Sequence, residues 1–579
     1  MRKILCASLI FFSFLFAKAQ TNMVTTNKLA EDIMLGNYDP MDFKPQIVID
    51  QPEEIIDGIL NQISTDSLKS YLFALRSFHN RNTGSDTLSL IKGIGAARRW
   101  TFDRFQKISE QNEGRLLPSY FQFDFNICGA GQHRNIFATL PGIDTSKHGI
   151  VLIEAHIDSR CDEVCDTTCL AEGMEDNASG TALVLELARI MSAYAFDRTL
   201  VFMLVIGEEQ GLNGSDAFAK YALSKKIPIN SVLNNDVIGG IICGQTSSTP
   251  SCPGFNNIDS TQVRLFSQGS FNSKHKQLAR FTKLQYQEEL LDKVSVPMKV
   301  TIMSAEDRTG RGGDHIPFRQ QGFAAIRFTS ANEHGNANTA DPNYHDRQHT
   351  SDDILGLDTN ADNLIDSFFV DFNYLSRNAL INGVSAAMAG IGPETPSDFT
   401  AFRTKDSIHV NIVDNHDYGK YRVFYRFANN DFDTTFTIYN KNVVLKEQKG
   451  IVYLSVASVD ENGIESLFTG EKTVGLPNST IEPESEYSSS VIELLQNRPN
   501  PFDEATYINF NVKKPLAYKD AFIVITNLEG KEIKRIPVQI KTGNNEILYT
   551  HGYNVTGVYA YSLIIDGKIV ATRRMVFAN

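Results

Sequence analysis

The sequence predicts an α/β domain with a mostly parallel sheet and helices on both faces, followed by two small all-β sandwich domains. Wholly apolar runs alternate with segments of helical periodicity through the first two thirds of the chain, which is typical of strands buried on both faces. Short segments of alternating hydrophobicity then replace this pattern. The 579 residues, 42% of them hydrophobic, exceed what one core organises, so we expect several domains.

The N-terminus has the features of a secretory signal peptide over residues 1–19. Two basic residues precede the apolar stretch 4–16, and small residues frame a cleavage site before Gln20. The stretch is short for a membrane span, and no other run approaches about 20 apolar residues. We therefore expect a soluble, exported chain without a transmembrane segment. Residues 20–55 are polar and weakly patterned, which predicts an N-terminal extension.

The α/β domain is predicted over residues 56–392. Helical periodicity appears at 66–78 and 93–105, and a strand is expected at 135–143. Strand and helix then alternate in the order strand, helix, strand, helix, strand over 149–158, 180–195, 199–206, 214–223 and 229–240. Buried strands separated by helices predict a parallel sheet, in which ligands gather at the carboxyl ends of the strands.

The last third of the chain is expected to hold the two β domains. Residues 396–475 contain short alternating strands and predict a small β-sandwich. A segment rich in Ser, Pro and Glu at 476–492 is predicted to be a linker. A second β unit, over 493–579, completes the chain.

Charge and cysteine content limit the possible functions and indicate the role of the cysteines. The formal net charge is −13 and no long Lys/Arg block exists, which disfavours nucleic-acid binding. Six cysteines remain once Cys6 leaves with the signal peptide, and an even count in an exported chain favours disulfides, with the pairing left open. A metal cluster in "CDEVCDTTC" is the weaker alternative, because no paired CxxC or histidine accompanies it.

Polar residues mark the ends of three predicted strands. Glu208 and Glu209 follow the strand at 199–206, His156 and Asp158 end the strand at 149–158, and Asp236 ends the next. Side chains alternate along a strand, so the adjacent glutamates must point to different places. Since these strand ends share one edge of the sheet, we expect all five residues to lie together.

A cation is needed among these residues. Asp176 stands just ahead of a helix, where an N-terminal cap is the simpler interpretation, but it would add a further carboxylate to the cluster. So many neighbouring carboxylates repel unless cations compensate them. Mixed imidazole and carboxylate ligands favour Zn²⁺ over Ca²⁺ or Mg²⁺. A further histidine ligand is expected downstream, where His345 and His349 are the candidates.

Six motifs in order carry a resemblance to a known family: "AHIDS", "EDNASG", "GEEQG", "NNDVIG", "GGDHIPF" and "RQHTSDD". Residues from about 56 to 390 resemble the two-zinc aminopeptidases of the bacterial leucyl aminopeptidase type, to which glutamate carboxypeptidases and glutaminyl cyclases are related. The resemblance implies a zinc exopeptidase fold, peptide substrates, and hydrolysis of N-terminal residues without a covalent intermediate.

The resemblance also implies roles for the clustered residues. His156 and Asp236 would bind one zinc ion, Glu209 and His349 the second, and Asp176 both, with a cis peptide bond after Asp176. His349 is preferred to His345 because Asp353, four residues on, matches the family pattern.

The same resemblance assigns the chemistry. Glu208 would act as general base towards a water shared by the two zinc ions and then protonate the departing amine. Asp158 would accept the imidazole N–H of His156 and fix its tautomer.

Some positions depart from the family pattern or leave the pocket open. Certain relatives have Tyr before the last ligand histidine, where this chain has Gln348, while Tyr344 precedes His345. Tyr344, Asp314 and His315 are therefore the candidates for substrate binding, although a turn aspartate is the simpler interpretation of Asp314.

Two arginines and the ligand positions bear on which activity the chain has. Arg308 and Arg311 are expected to be solvated, although an arginine aimed into the cleft would bind a substrate carboxylate and favour a carboxypeptidase. Glutaminyl cyclase activity is another alternative, but cyclases keep one catalytic zinc and this chain retains all five ligand positions. An inactive surface adhesin is disfavoured because Glu208 is present.

Both β domains have resemblances of their own. "VYLSVASVDENGIES" is similar to the late strands of a fibronectin type III domain. "LLQNRPNPF" and "GVYAYSLIIDGKIVATRRMVF" closely resemble the C-terminal sorting domain of type IX secretion. That resemblance implies the type IX machinery as a partner and a secreted or cell-surface protein that has crossed the outer membrane.

Overall fold

The computed structural model of the chain describes most residues between Ala19 and Ala578. The residues left out within this range are 148, 246–251, 253, 270–272, 304, 309, 334–345, 405–406, 428–430, 433, 447–451, 475–491, 517, 528–531, 552–556 and 567. Residues 1–18 of the predicted signal peptide and most of the predicted linker lie outside the described residues.

A large sheet forms the centre of the first part of the chain. Its nine strands are β1 (Thr21–Thr25), β2 (Leu117–Ile127), β3 (Ala130–Leu140), β4 (Ile150–His156), β5 (Leu200–Val205), β6 (Ile229–Asn235), β7 (Gln262–Phe266), β8 (Lys299–Ile302) and β9 (Ala325–Ser330). They are ordered β1-β2-β3-β5-β4-β6-β9-β7-β8. The central strands β5, β4, β6 and β9 are parallel, whereas β1 to β3 and the β9–β7 pair are antiparallel. The sheet is thus mixed, with its parallel part at the site.

Helices cover both faces of this sheet, as predicted. They are α1 (Lys28–Met34), α2 (Pro52–Gln62), α3 (Thr65–Arg76), α4 (Gly93–Gln111), α5 (Ser179–Met191), α6 (Asn213–Lys225), α7 (Lys274–Gln285), α8 (His315–Gln320) and α9 (Phe372–Ile391). Apolar residues of α2 to α5, α7 and α9 share one buried cluster, and those of α1, α6 and α8 share another. The α/β class is therefore confirmed. Among the described residues, no helix combines the length and hydrophobicity that crossing a membrane requires.

The segment predicted as an N-terminal extension contributes to the main sheet. Strand β1 pairs antiparallel with β2, and Thr26 donates its backbone N–H to the carbonyl of Tyr120 at 2.8 Å. An edge strand is held mainly through its backbone on one side, so it needs little of the apolar pattern that marks buried strands. This explains the weak apolar pattern of β1, which occupies only the start of the segment 20–55.

Two small antiparallel units follow a short hairpin of β10 (Gly356–Leu357) and β11 (Ser367–Phe368). The first unit contains β12 (Asp398–Arg403), β13 (Ser407–Val413), β14 (Tyr421–Arg426), β15 (Thr434–Ile438), β16 (Asn442–Lys446), β17 (Val452–Ser458) and β18 (Lys472–Val474). The second contains β19 (Ile492–Leu494), β20 (Ala505–Val512), β21 (Ala521–Thr526), β22 (Glu532–Pro537), β23 (Gly543–Thr550), β24 (Gly557–Ile565) and β25 (Lys568–Phe577). Each unit packs a three-stranded sheet against a four-stranded one with the same strand connectivity.

The first β unit shares a core with the α/β part. Phe424, Ala457, Ile464 and Phe468 belong to the same buried apolar cluster as the helices α2 to α5. The ring of Phe468 lies 5.7 Å from that of Phe281 on α7, edge to face. This sharing makes the interface part of the hydrophobic core.

The six cysteines form three disulfides, Cys128–Cys165, Cys161–Cys169 and Cys243–Cys252. The prediction of disulfides rather than a cysteine metal cluster is confirmed. Two of the bonds fasten the loop after β4 to itself and to the turn between β2 and β3. Two disulfide cross-links in one loop remove much of its conformational freedom.

Candidate metal centre

The parallel arrangement brings three strand ends to one edge of the sheet. His156 is the last residue of β4, Asp236 directly follows β6, and Glu208 and Glu209 follow β5 after Gly207. Gly207 has a φ of 73°, a left-handed conformation that lets the chain turn sharply there. The expectation that these residues meet at one edge agrees with the structure.

His156 lies at the centre of the carboxylates. Its Nε2 is 3.1 Å from Oδ1 of Asp176 and 3.5 Å from Oδ1 of Asp236. Burial alone would lower the pKa of this imidazole, but Glu208 and the three contacting aspartates outweigh burial and raise the pKa well above its ordinary value. The position therefore favours a positive charge at this nitrogen.

Asp176 faces both histidines instead of capping a helix. Its Oδ1 lies 3.1 Å from His156 Nε2, and its Oδ2 lies 3.1 Å from His349 Nε2. The peptide bond that follows Asp176 is cis, as the family pattern implied. Asn177, not Asp176, accepts an N–H group in the first turn of α5, that of Gly180 at 3.0 Å, so the capping interpretation does not describe Asp176.

Asp353 holds the segment that carries Asp176. Its two carboxylate oxygens accept the backbone N–H groups of Glu175 at 2.9 Å and Asp176 at 3.0 Å. Burial raises the pKa of Asp353 to about 7. The carboxylate four residues after His349 thus fixes the backbone of another site residue.

Glu209 and His349 form the other half of the cluster. Glu209 Oε2 lies 3.0 Å from His349 Nε2, and the glutamate side chain is only 1% exposed. Its Oε1 makes no hydrogen bond within the described residues. A buried carboxylate oxygen of this kind calls for a cation or another polar partner.

The possible ligand atoms group into overlapping sets, one of which joins Glu208 to His156 and Glu209, while two others contain Asp176. Atoms of His156, Asp176 and Asp236 lie within 4.8 Å of one another, and so do atoms of Asp176, Glu209 and His349. The two sets share Asp176. Imidazole nitrogen with carboxylate oxygen is a donor set that suits Zn²⁺, so the residues present fit this metal. The alternative ligand His345 lies outside the described residues.

Glu208 lies beside the two sets that contain Asp176, with its side chain at the cavity. Burial raises its pKa well above the ordinary value, His156 opposes this, and Asp236 and Glu209 add to it. Asp158 accepts the backbone N–H groups of Glu208 at 3.4 Å and Glu209 at 3.2 Å.

Asp158 also lies against the imidazole of His156. Its backbone carbonyl is 3.1 Å from His156 Nδ1, closer than its carboxylate at 3.5 Å. Thr83, which sequence reasoning did not single out, donates its hydroxyl to the Asp158 carboxylate at 3.2 Å. Asp158 therefore fixes the two glutamates as well as contacting the histidine.

Two residues with left-handed backbone conformations flank the cluster. His349 has a φ of 61° and Val237, next to Asp236, has a φ of 58°. Such conformations cost non-glycine residues about 1 to 3 kcal/mol and often occur at functional sites. For β-branched Val237 the conformation is especially uncommon.

A cavity of about 730 Å³ opens above the cluster and is lined by Asp176, Glu208, Glu209, Asp236 and His349. Gln348 is 3% exposed and donates its amide to Glu333 at 2.7 Å. Gln348, which stands where certain relatives have tyrosine, is therefore hydrogen-bonded to the buried carboxylate of Glu333.

Two of the three predicted substrate-binding residues lie away from the cavity that the proposed ligands line. Asp314 and His315 are fully buried and are not among the residues that line the cavity. Asp314 accepts the hydroxyl of Ser215 at 2.5 Å, and burial raises its pKa to about 7. Burial lowers the pKa of His315 to about 4. Tyr344 lies outside the described residues.

The expectation that Arg308 and Arg311 are solvated is wrong, because Arg308 is buried and the Arg311 side chain keeps only 12% of its surface exposed. Arg308 is 4% exposed, because it forms a buried ion pair with Glu333. Arg311 is partly exposed and lines the cavity. Among the site's cations, Arg160 was also missed, and it lines the same cavity.

Two further residues, which the sequence did not single out, contact the cluster or the backbone next to it. Arg327 on β9 lies 3.0 Å from Asp236 Oδ2 and 2.8 Å from Asp307. Glu175 accepts the N–H groups of Gly239 and Gly240 at 2.9 and 2.6 Å. Arg327 could have been found from the sequence, because it lies inside the apolar run "AAIRFTS" and a buried charge needs a partner of opposite charge.

A peptidase family and several known proteins are similar in sequence to this chain. A model of peptidase family M28 matches residues 135–366. A probable zinc metalloprotease of Leptosphaeria maculans is 30% identical over 376 residues, covering 63% of this chain and 81% of the relative. One from Pyrenophora tritici-repentis is 32% identical over 296 residues, covering 49% and 67%. The chain is a zinc metallopeptidase. It belongs to peptidase family M28.

Solved structures with a likeness to the chain include the LapA aminopeptidase of Legionella pneumophila, which has a TM-score of 0.42 and 17% identity and covers 60% of this chain and 78% of that one. A Zn-dependent exopeptidase from Parabacteroides distasonis has a TM-score of 0.38 and 12% identity, with 56% and 98% covered.

Proposed function

We propose that the protein is a secreted exopeptidase with two zinc ions, and that it removes N-terminal residues from peptides. The observation that supports this most directly is the position of Asp176 between two sets of ligand atoms. A carboxylate with one oxygen towards each histidine is suited to bridge two cations.

In this proposal five residues hold the metals. His156 and Asp236 would bind one ion, Glu209 and His349 the other, and Asp176 would contribute to both. Zinc at such a site supplies Lewis acidity, which activates water and polarises a carbonyl group. The Nε2 atom of His349 is the ligand atom, because it is the one that faces Asp176 and Glu209. These contacts favour His349 over His345.

Glu208 is the proposed general base. It borders the cavity beside both ligand sets, and Asp158 fixes its backbone together with that of Glu209. One glutamate is then held towards the metals while its neighbour remains able to accept a proton from water. Glu208 afterwards donates that proton to the departing amine.

The test is hydrolysis of paired peptides with free and blocked N-termini, with and without a chelator, by wild type and Glu208→Gln. We expect cleavage of the unblocked peptides alone, loss of activity with chelator, and a kcat lower by about 10² to 10⁴-fold in the variant, whose zinc content stays unchanged. Cleavage of blocked peptides at the C-terminus would instead identify a carboxypeptidase. Release of pyroglutamate from N-terminal glutamine would identify a cyclase.

We also propose export and sorting roles for the ends of the chain. Residues 1–19 act as signal peptide, 396–475 as a fibronectin type III-like spacer, and 493–579 as a type IX sorting domain behind the linker 476–492. The repeated three-plus-four strand arrangement supports two sandwich domains. Deleting 493–579 in the native cell should leave the protein behind the outer membrane, and normal appearance outside the cell would refute the sorting role.

A further inference from the structure

The loop of residues 84–92, which directly precedes α4, holds three large apolar side chains in solvent. Leu88, Leu90 and Ile91 are 86%, 81% and 77% exposed, and no other large apolar side chain among the described residues is as exposed. Ile47 follows at 75%, in a different segment of the chain. Single exposed apolar residues are common on protein surfaces, but three within four residues form a patch of the kind found at interaction sites.

This apolar loop, residues 84–92, has a fixed backbone. The carboxylate of Asp86 accepts the N–H groups of Leu88 at 2.8 Å and Ser89 at 2.9 Å. The hydroxyl of Ser89 in turn accepts the N–H groups of Ile91 and Lys92, each at 3.3 Å. The apolar side chains are therefore presented by an ordered loop, which loses little conformational entropy when a partner binds.

The apolar loop also lies close against the first turn of α4. Gly95 donates its N–H to the carbonyl of Asp86 at 3.0 Å, and the hydroxyl of Ser85 accepts the N–H of Ile94 at 2.9 Å. A Cβ atom at Gly95 would lie 2.2 Å from the carbonyl oxygen of Thr87. Because the loop backbone is packed on the helix, its apolar side chains remain on the outer side.

A positively charged side chain of α4 holds the base of the apolar loop. Arg99 Nη1 donates to the carbonyl of Thr87 at 3.0 Å, and Nη2 donates to the carbonyls of Leu88, at 3.3 Å, and Ser89. These acceptors are uncharged, so they satisfy the N–H groups of Arg99 without cancelling its charge.

Two further arginines lie beside Arg99. Arg134 on β3 donates Nε to the amide oxygen of Gln122 at 3.1 Å, and its guanidinium carbon lies 5.7 Å from the centre of the Tyr120 ring. Burial, together with the charges of Arg134 and Arg99, lowers the pKa of Arg98 to about 10. Within the part of the chain that the structure describes, none of the three arginines forms an ion pair with a carboxylate.

The charge around the apolar loop is opposite in sign to that of the chain. Lys92 adds a fourth cation to the three arginines, and the nearby carboxylates are those of Asp86 and Asp103. Four cations against two carboxylates leave a local excess of positive charge, whereas the formal net charge of the whole chain is −13. Salt limits the reach of exposed charges to about 8 Å, so a partner at this surface senses mainly the local cations.

We propose that the apolar loop and Arg98, Arg99 and Arg134 form a docking surface for an anionic lipid membrane. The three apolar side chains project into solvent, whereas Arg98 and Arg99 are only half exposed behind them. A membrane presents the matching order, negative phosphates first and hydrocarbon beyond them, so the apolar side chains pass the phosphates that the guanidinium groups bind. A second copy of the chain would bring like charges together. The inference does not depend on the proposed reaction.

The test is flotation of the chain with vesicles of phosphatidylcholine and with vesicles that also contain phosphatidylglycerol. The chain used begins at Gln20, because the apolar residues 4–16 would bind lipid themselves. We expect binding to both kinds of vesicle, with affinity about tenfold higher for the anionic ones at low salt. High salt should reduce this preference towards one.

Substitutions in the apolar loop test the insertion. Leu88→Ser, Leu90→Ser and Ile91→Ser should each weaken binding to both kinds of vesicle by about tenfold, because each removes apolar surface that enters the membrane. Their unfolding temperatures should equal that of wild type, since these side chains are exposed. Ile47→Ser, which removes a similarly exposed side chain, is the matched control and should bind as wild type does.

Substitutions of the arginines test the charge recognition. Arg98→Gln and Arg134→Gln should each reduce the preference for anionic vesicles by about fivefold and leave binding to phosphatidylcholine unchanged. Arg98→Lys and Arg134→Lys keep the charge and should retain most of the preference. Lys541→Gln, at an exposed lysine of the second β unit, should have no effect.

Three results would overturn the inference. The first is absence of vesicle binding, or vesicle binding that all three loop variants retain. The second is calorimetric binding of inorganic phosphate, lost in Arg98→Gln, by a chain that does not bind vesicles, which would identify an anion site instead. The third is a dimer in sedimentation velocity that the loop variants dissociate, again without vesicle binding, which would identify a second copy of the chain as the partner.

Discussion

Asp353 illustrates how a residue outside a proposed ligand set can hold one of its members in place. It holds two successive backbone N–H groups of the segment that carries Asp176. We expect Asp353→Ala to weaken zinc binding by about 10 to 100-fold, because Asp176, the proposed shared ligand, would lose the hydrogen bonds that hold its backbone. Titration of zinc into metal-free protein measures this. The exposed neighbour Asp352 offers the control Asp352→Ala, and equal effects of the two variants would contradict the role of Asp353.

His275 on α7 gives the fold a pH dependence of its own. Burial lowers the pKa of His275 to about 4, and its Nδ1 accepts the backbone N–H of Ala325 at 3.1 Å. The folded pKa lies below the unfolded value near 6.5, so the stabilisation is complete above pH 6.5 and is lost as the pH falls towards 4. The loss should be about 2 kcal/mol between pH 7 and pH 5.

The measurement is the free energy of unfolding of metal-free protein at both pH values. His275→Gln should lose less stability than wild type over this interval, since glutamine does not titrate. His416→Gln, at an exposed histidine, should keep the wild-type dependence. An unchanged pH dependence in His275→Gln would refute this assignment.

At the scale of elements, α5 approaches β6 very closely at Gly180. A Cβ atom there would lie 2.3 Å from the backbone carbonyl of Asn235 and 2.5 Å from Asn177 Oδ1. We expect Gly180→Ala to destabilise the protein by about 1 to 3 kcal/mol and to weaken zinc binding, since α5 follows the segment of Asp176 and β6 precedes Asp236. Thermal unfolding and zinc titration measure the two effects.

Gly131 on β3 supplies the control for this substitution. A Cβ atom at Gly131 would meet nothing within 4 Å, so Gly131→Ala should change neither quantity appreciably. If Gly180→Ala binds zinc as wild type does, the close packing of α5 on β6 does not position the ligands.

The elements also show what the sequence could and could not predict. Strands β4, β5 and β6 and helix α5 were predictable because buried runs and helical periodicity are local signals. The proximity of His156, Glu209 and Asp236 was predictable because parallel strand ends meet at one edge, whereas the proposed roles of Asp176 and His349 came from the family resemblance. Strand β1 was missed because an edge strand needs little apolar pattern. Arg160 was missed because its importance depends on contacts with residues 49 and 189 positions away.

At the scale of the whole molecule, the first β unit is joined to the peptidase part through core and polar contacts. Gln285 donates to Glu465 at 2.7 Å, and Gln277 to the carbonyl of Thr469 at 2.7 Å, beside the Phe281–Phe468 contact. A chain ending at residue 395 would expose this apolar surface. We expect it to unfold at a lower temperature and to aggregate more readily than a chain ending at residue 474.

The longer truncation is the matched control. The second β unit contacts the first chiefly through the ion pair of Arg426 with Glu504 and a small cluster around Tyr453. A chain ending at residue 474 should therefore retain the unfolding temperature of its peptidase part. Equal stability of both truncated chains would show that the first β unit is dispensable for the peptidase fold.

The proposed function depends on two zinc ions that would share Asp176. Zinc content per chain, measured by elemental analysis of folded protein supplied with the metal, tests it most directly. We predict two ions in wild type and fewer in Asp176→Ala, with secondary structure unchanged. A wild-type content of one ion or none, or two ions retained in Asp176→Ala, would contradict it.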